Sequence, residues 1–148
     1  MPAANLHLTL RFLGNVDEIR LGTLGTLLEA IDAPPFELGL DRVGAFGRGR
    51  LKRVLWLGVS AGVEAAGELA VKIEHACREV GLEPEERPFR PHVTLARARD
   101  RRGAPEPALD GAPQLEPWTA PDFVLYRSKP GRGGSEYIPL RRFALDRL

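Results

Sequence analysis

The chain has a single cysteine, a single methionine, three histidines and three lysines in 148 residues. One cysteine, Cys77, excludes an internal disulfide and suits a reducing compartment. It falls on the apolar stripe of a predicted helix, which reads as a buried thiol rather than a nucleophile. No apolar run approaches membrane-spanning length, and no secretory leader is recognisable at the N-terminus, so a cytoplasmic protein is expected. Charge of one sign is also lacking. With Lys+Arg at 21 and Asp+Glu at 20 the net charge is +1, so no global basic field announces nucleic acid. The positive charge is nearly all arginine, clustered at Arg48-Gly-Arg50-Leu-Lys52-Arg53 and Arg97-Ala-Arg99-Asp-Arg101-Arg102. Arginine's planar fork suits phosphate.

What the chain does have is one short pattern twice: His7-Leu-Thr-Leu10 and His92-Val-Thr-Leu95. Three His and five Thr would give roughly 0.1 His-x-Thr matches by chance, and two matches in roughly one such sequence in 200. On an extended strand, residues i and i+2 share a face. Each motif therefore offers an imidazole and a hydroxyl side by side, with apolar residues behind. Two imidazoles can divide acid–base work, one taking a proton from water and the other giving one to a leaving oxygen. Two Thr hydroxyls can donate to phosphate oxygens. Arg11 shares the expected face of His7, whereas Arg97 falls opposite His92 by strict alternation and needs a bulge or the strand end to join it. A zinc site is disfavoured, because neither motif carries the accompanying carboxylate or thiol ligands. No serine lies in a nucleophile elbow.

Periodicity predicts a strand over 5–13, with Leu6, Leu8, Leu10 and Phe12 facing the core. A helix follows over Asp17–Ile31, capped by Asp17 and stopped by Pro34-Pro35. Strands over Phe36–Phe46 and Lys52–Ser60 form a hairpin whose second strand, apolar on both faces, is central. A second helix spans Val63–Val80, with His75 on its polar side and Gly81 as its stop. The second motif strand is His92–Arg97. Residues 103–117 read as a loop, and strands near Asp122–Ser128 and Glu136–Leu145 flank the turn Pro130–Gly134. This order predicts an α+β fold of antiparallel sheets with helices packed outside. The motifs sit 85 positions apart, which suggests two pseudo-symmetric lobes facing a central cleft.

Asn5-Leu-His-Leu-Thr-Leu-Arg-Phe-Leu-Gly14 and Arg87-Pro-Phe-Arg-Pro-His-Val-Thr-Leu-Ala-Arg97 resemble the signature strands of the 2H phosphoesterase superfamily. Val43-Gly-Ala-Phe46, Arg53-Val-Leu-Trp-Leu-Gly58 and the Gly-rich turn before Tyr137 extend the likeness to its RNA 2′,3′-cyclic phosphodiesterases, historically called 2′-5′ RNA ligases. The resemblance implies one bilobal domain over residues 1–148. It implies metal-independent opening of 2′,3′-cyclic phosphates at RNA 3′ ends to 2′-phosphates, without a cofactor, and ATP-free 2′-5′ joining of tRNA halves. His7 and His92 would be the acid–base pair and Thr9 and Thr94 the phosphate clamps. Arg11, Arg97, Phe46 and Tyr137 are candidate substrate contacts, the aromatics by stacking on a base. Family members usually carry a strand and a helix before the first motif, so a sheet edge is expected to lack its partner here. Two alternatives keep the motifs: a non-catalytic grip on RNA ends, or the same site acting on 2′-5′ oligonucleotides or small cyclic nucleotides. A pure binder would be better served by cations than by two imidazoles.

Overall fold

A computed structural model describes residues 3–105, 115–132 and 134–145, so most of the expected 103–117 loop lies outside the described residues. A short 3-10 turn, Ala3–Asn5, is followed by helix α1 (Glu18–Glu29), strands β1 (Phe36–Arg48) and β2 (Leu51–Ala61), and helix α2 (Val63–Glu79). Strands β3 (His92–Arg97), β4 (Ala104–Pro105), β5 (Trp118–Ala120), β6 (Asp122–Lys129) and β7 (Glu136–Ala144) complete the chain. The expected α+β class holds: five strands form one sheet in the order β3-β2-β1-β5 with β4 on β2, and β6 pairs with β7 in another. The β1–β2, β2–β3, β2–β4 and β6–β7 pairings are antiparallel, and β2 is central as its two apolar faces required.

Contacts divide the chain into two units. The first takes Met1–Thr9, Glu37–Val63 and Pro91–Trp118, and the second takes Leu10–Phe36, Glu64–Arg90 and Thr119–Leu148. Both His-x-Thr segments fall in the first unit.

The second unit holds both helices. The Asp17 carboxylate accepts from the Arg20 backbone amide at 2.9 Å and caps α1, as expected. Helix α2 buries Ala66, Leu69, Ala70, Ile73, Ala76 and Cys77, a stripe at helical spacing, and leaves His75 exposed. It ends at Gly81, whose φ of 82° only glycine adopts without strain, and Leu82 N–H returns to Cys77 O at 3.0 Å. Leu24 and Leu28 of α1, the α2 stripe, and Phe123 stacked on Phe143 at 4.9 Å form its core. Burial pushes the Cys77 thiol pKa up, consistent with an inert packing residue.

The expected strand over 5–13 does not form. Only Leu8 makes a bridge, to Val93, and beyond it the chain passes into the second unit, where Leu10 and Leu13 pack on the core. That three-residue spacing replaces the two-residue alternation and leaves Phe12 64% exposed, not buried as predicted.

Candidate active site

In the first unit, Val43 pairs with Leu57, Leu57 with Val93, and Val93 with Leu8. Residues paired across a sheet point to one side, so this apolar row defines one face. The neighbouring rows point to the other: Gly44–Trp56–Thr94 and Arg42–Gly58–His92. The isolated Leu8–Val93 bridge brings the two His-x-Thr segments side by side in antiparallel sense.

Each ring has its own support. His7 Nδ1 lies 2.6 Å from Asn5 O. A carbonyl only accepts, so Nδ1 carries the proton and Nε2 of the neutral ring holds the lone pair. His92 is flanked by aromatic rings. Phe46 meets it edge-to-face at 5.3 Å between centroids, and Trp56 lies 6.3 Å away. Phe46 and Trp56 also touch, at 5.2 Å. Phe46, expected to stack on a base, here packs against the His92 ring.

Sequence reasoning did not single out Trp56, because a strand apolar on both faces reads as core. Its signal was Gly44, its cross-strand partner: a Cβ there would overlap the indole. Trp56 Nε1 is buried and meets no hydrogen-bond partner among the described residues, so ring packing over Gly44 holds the indole. Gly44→Ala is expected to displace Trp56, to destabilise the protein by about 1–3 kcal/mol, and to change tryptophan fluorescence. Unchanged fluorescence and stability would show that the indole is not held this way.

Arg97 does reach the motif face. Leu55 pairs with Ala96 but Trp56 with Thr94, so Leu95 is an extra residue in β3. That bulge reverses the alternation and pairs Arg97 with Val54, on the side of Trp56 and His92. Arg97, Val54 and Phe46 accordingly line one cavity of about 330 Å³, together with Gly47, Arg53 and Ala98.

Arg11 is corrected from substrate contact to structural tie. Its Nε donates to Glu74 Oε2 at 2.5 Å, Nη1 to Phe12 O at 2.6 Å and Nη2 to Glu83 O at 2.5 Å. All three guanidinium nitrogens are engaged within the second unit, and the side chain is 8% exposed. Burial alone would raise the Glu74 pKa, but hydrogen bonds from Arg11, the Glu85 amide and Arg78 outweigh it and hold the carboxyl at about 2. Tyr137 also belongs to the second unit, where it lies edge-on to Tyr126 at 6.4 Å. No group of three or more His, Cys, Asp or Glu poised for a metal occurs among the described residues, and no described helix is long and apolar enough to cross a membrane.

Residues 1–131 match the sequence pattern of the 2′-5′ RNA ligase superfamily. The chain belongs to that superfamily. It is 36% identical over 146 residues to the RNA 2′,3′-cyclic phosphodiesterase of Escherichia coli, an alignment covering 98% of this chain and 78% of that enzyme. To the enzyme of the same name from Thermus thermophilus it is 34% identical, over 98% of this chain and 74% of the relative. Against the Aeropyrum pernix enzyme the match is 38% identical and spans 57% of the relative. Among solved superfamily structures, E. coli LigT in its apo form matches with a TM-score of 0.82 at 35% identity, covering 97% of this chain and 78% of that one. LigT bound to 3′-AMP matches with a TM-score of 0.81 at 34% identity, covering 97% of this chain and 79% of that one.

Proposed function

We propose that this protein is an RNA 2′,3′-cyclic phosphodiesterase that opens the cyclic phosphate at RNA 3′ ends and leaves a 2′-phosphate. The observation that carries the reading is the Leu8–Val93 bridge, which joins two His-x-Thr segments from distant parts of the chain. The relatives named for this activity support it.

Water attacks phosphorus, the P–O3′ bond breaks, and O3′ leaves. One imidazole removes the proton from the attacking water while the other protonates O3′, each such transfer contributing typically 10²–10⁴-fold. The Thr9 and Thr94 hydroxyls donate to the non-bridging oxygens, where negative charge grows in the transition state. Arg97, turned to this face by the bulge, adds positive charge beside them. With an RNA 5′-hydroxyl in place of water, the same displacement leaves a 2′-5′ linkage. The strained ring supplies the driving force, so joining tRNA halves needs no ATP. No step calls for a metal or a cofactor. The one thiol, buried and inert, suits a cytoplasmic enzyme.

The test is hydrolysis of an RNA oligonucleotide ending in a 2′,3′-cyclic phosphate, with EDTA present. Turnover is expected to persist in EDTA and to give 2′-phosphate alone. A 3′-phosphate product would overturn the assigned leaving group. Binding of the RNA end without turnover would make the protein a non-catalytic end-binding module.

A further inference from the structure

The cavity beside the motif rows is not explained by chemistry at the cyclic phosphate alone. It is lined by Phe46, Gly47, Arg53, Val54, Arg97 and Ala98. Along β2, the Val54–Arg97 row lies two residues beyond the Trp56–Thr94 row, roughly 7 Å at strand spacing. That is about one nucleotide step of a single strand. Arg53 is exposed, and among the described residues neither Arg53 nor Arg97 is paired with a carboxylate. Two arginines lining one open cavity suit an anion.

The surroundings continue the charge. Arg48, Arg50 and Lys52 lie on the β1–β2 hairpin, and Arg99, Arg101 and Arg102 follow β3. The pairing of β4 with β2, Leu51 to Pro105 and Lys52 to Ala104, folds the second cluster back against the first. The lone carboxylate in these two stretches, Asp100, is turned onto the Arg102 backbone amide at 2.8 Å. Eight of the chain's 21 Lys and Arg residues thus fall in these two stretches, with one carboxylate among them. A mononucleotide needs no such path, whereas a polyanion running away from the motif rows does.

We infer that this cavity is a subsite for the phosphodiester on the 5′ side of the terminal nucleotide, with Arg53 as its ligand, and that the basic hairpin end carries the RNA strand onward. The inference rests on the phosphodiesterase reading and adds a preference for oligonucleotides over mononucleoside cyclic phosphates. Arg53 is a specificity residue here, outside the acid–base machinery.

The experiment compares a hexaribonucleotide ending in a 2′,3′-cyclic phosphate with the mononucleoside 2′,3′-cyclic phosphate of the same base. Wild type, Arg53→Ala and Arg53→Lys are measured on both. Arg53→Ala is expected to raise KM for the hexamer about 5- to 10-fold, leave its kcat unchanged, and leave the mononucleotide constants within about two-fold. The slope of log KM against log salt should fall by about 0.7, the loss of one contact to a single strand. Arg53→Lys should restore most of the loss. Equal losses on both substrates, or none on either, would overturn the subsite. So would a nucleoside triphosphate competitor that shows the Arg53 dependence while the hexamer does not, since the cavity would then take a free nucleotide.

If wild type turns over neither substrate, the phosphodiesterase reading fails by itself. The subsite is then read from the anisotropy of a 5′-fluorescein hexamer ending in 2′-phosphate. Weaker binding by Arg53→Ala supports the subsite, and unchanged binding overturns it.

Discussion

Replacing either His7 or His92 with alanine is expected to lower kcat for cyclic-phosphate opening by at least about 100-fold with little change in KM. In the proposed mechanism each ring moves a proton only in the transition state, so its loss removes stabilisation that the bound substrate never felt. The double variant should be scarcely slower than the worse single one, because two groups acting in one concerted transfer are not additive. Both rings are only half-buried, so circular dichroism should keep the wild-type signature, with at most a small drop in Tm for His92→Ala, whose ring packs on Phe46 and Trp56. A His variant that retains rapid, 2′-specific turnover would remove that imidazole from the mechanism.

The second large effect concerns stability, and it arises within the second unit. Glu74 is 16% exposed and binds Arg11, the Glu85 amide and Arg78. Glu74→Ala would leave the buried Arg11 guanidinium without its carboxylate, a loss of about 3 kcal/mol that lowers Tm by about 10 °C. Glu74→Gln keeps an acceptor without the charge and should lose about half as much.

The same pair gives the protein an acid limb. The Glu74 carboxyl is held at about 2 when folded against an ordinary value of 4.5. A depressed folded pKa means that the unfolded chain takes up the proton first. The stabilisation is complete above pH 4.5 and is lost as pH falls from 4.5 toward 2. Its size is of order 2–3 kcal/mol, somewhat less than the full shift because the site is partly solvated. Urea unfolding at several pH values should show wild type and Glu74→Ala converging across that window. Two curves that stay parallel down to pH 2 would mean that Glu74 is not the group responsible. Glu85, held to about 2 by its own bonds to Arg87, leaves a shallower acid slope in both proteins.

Much of the fold was legible because local signals agreed with packing. The α2 stripe, the Asp17 cap, the Gly81 stop and the β1–β2 hairpin each carry a mechanism within a few residues. The strand over His92–Arg97 was also legible, with the bounds expected from sequence. The segment around the first motif was not. Its alternation of Leu with His, Thr and Arg satisfies a strand template, but a strand also needs a partner along its length, and here only Leu8 finds one. The role of Arg11 was hidden for a related reason. Its partners Glu74 and Glu83 lie more than 60 positions away, and nothing local announces them. The bulge at Leu95 is set by the register of β3 on β2, a property of two strands that one strand's sequence does not contain. Trp56 went unnoticed because a half-buried indole on the face of His92 and one in a core have the same sequence signature.

The bridge between Leu8 and Val93 also has a meaning for synthesis. A ribosome making this chain adds about 5–20 residues per second. Several seconds therefore separate the emergence of His7 from that of His92. Throughout that interval the first motif has no partner strand, and closing so long a loop is slow in its own right. The pairing that unites the two motifs is thus closed to the nascent protein until residue 93 has emerged. A pause or premature stop before residue 92 would leave a chain with α1, α2 and the β1–β2 hairpin encoded but without the pairing of the two motif segments.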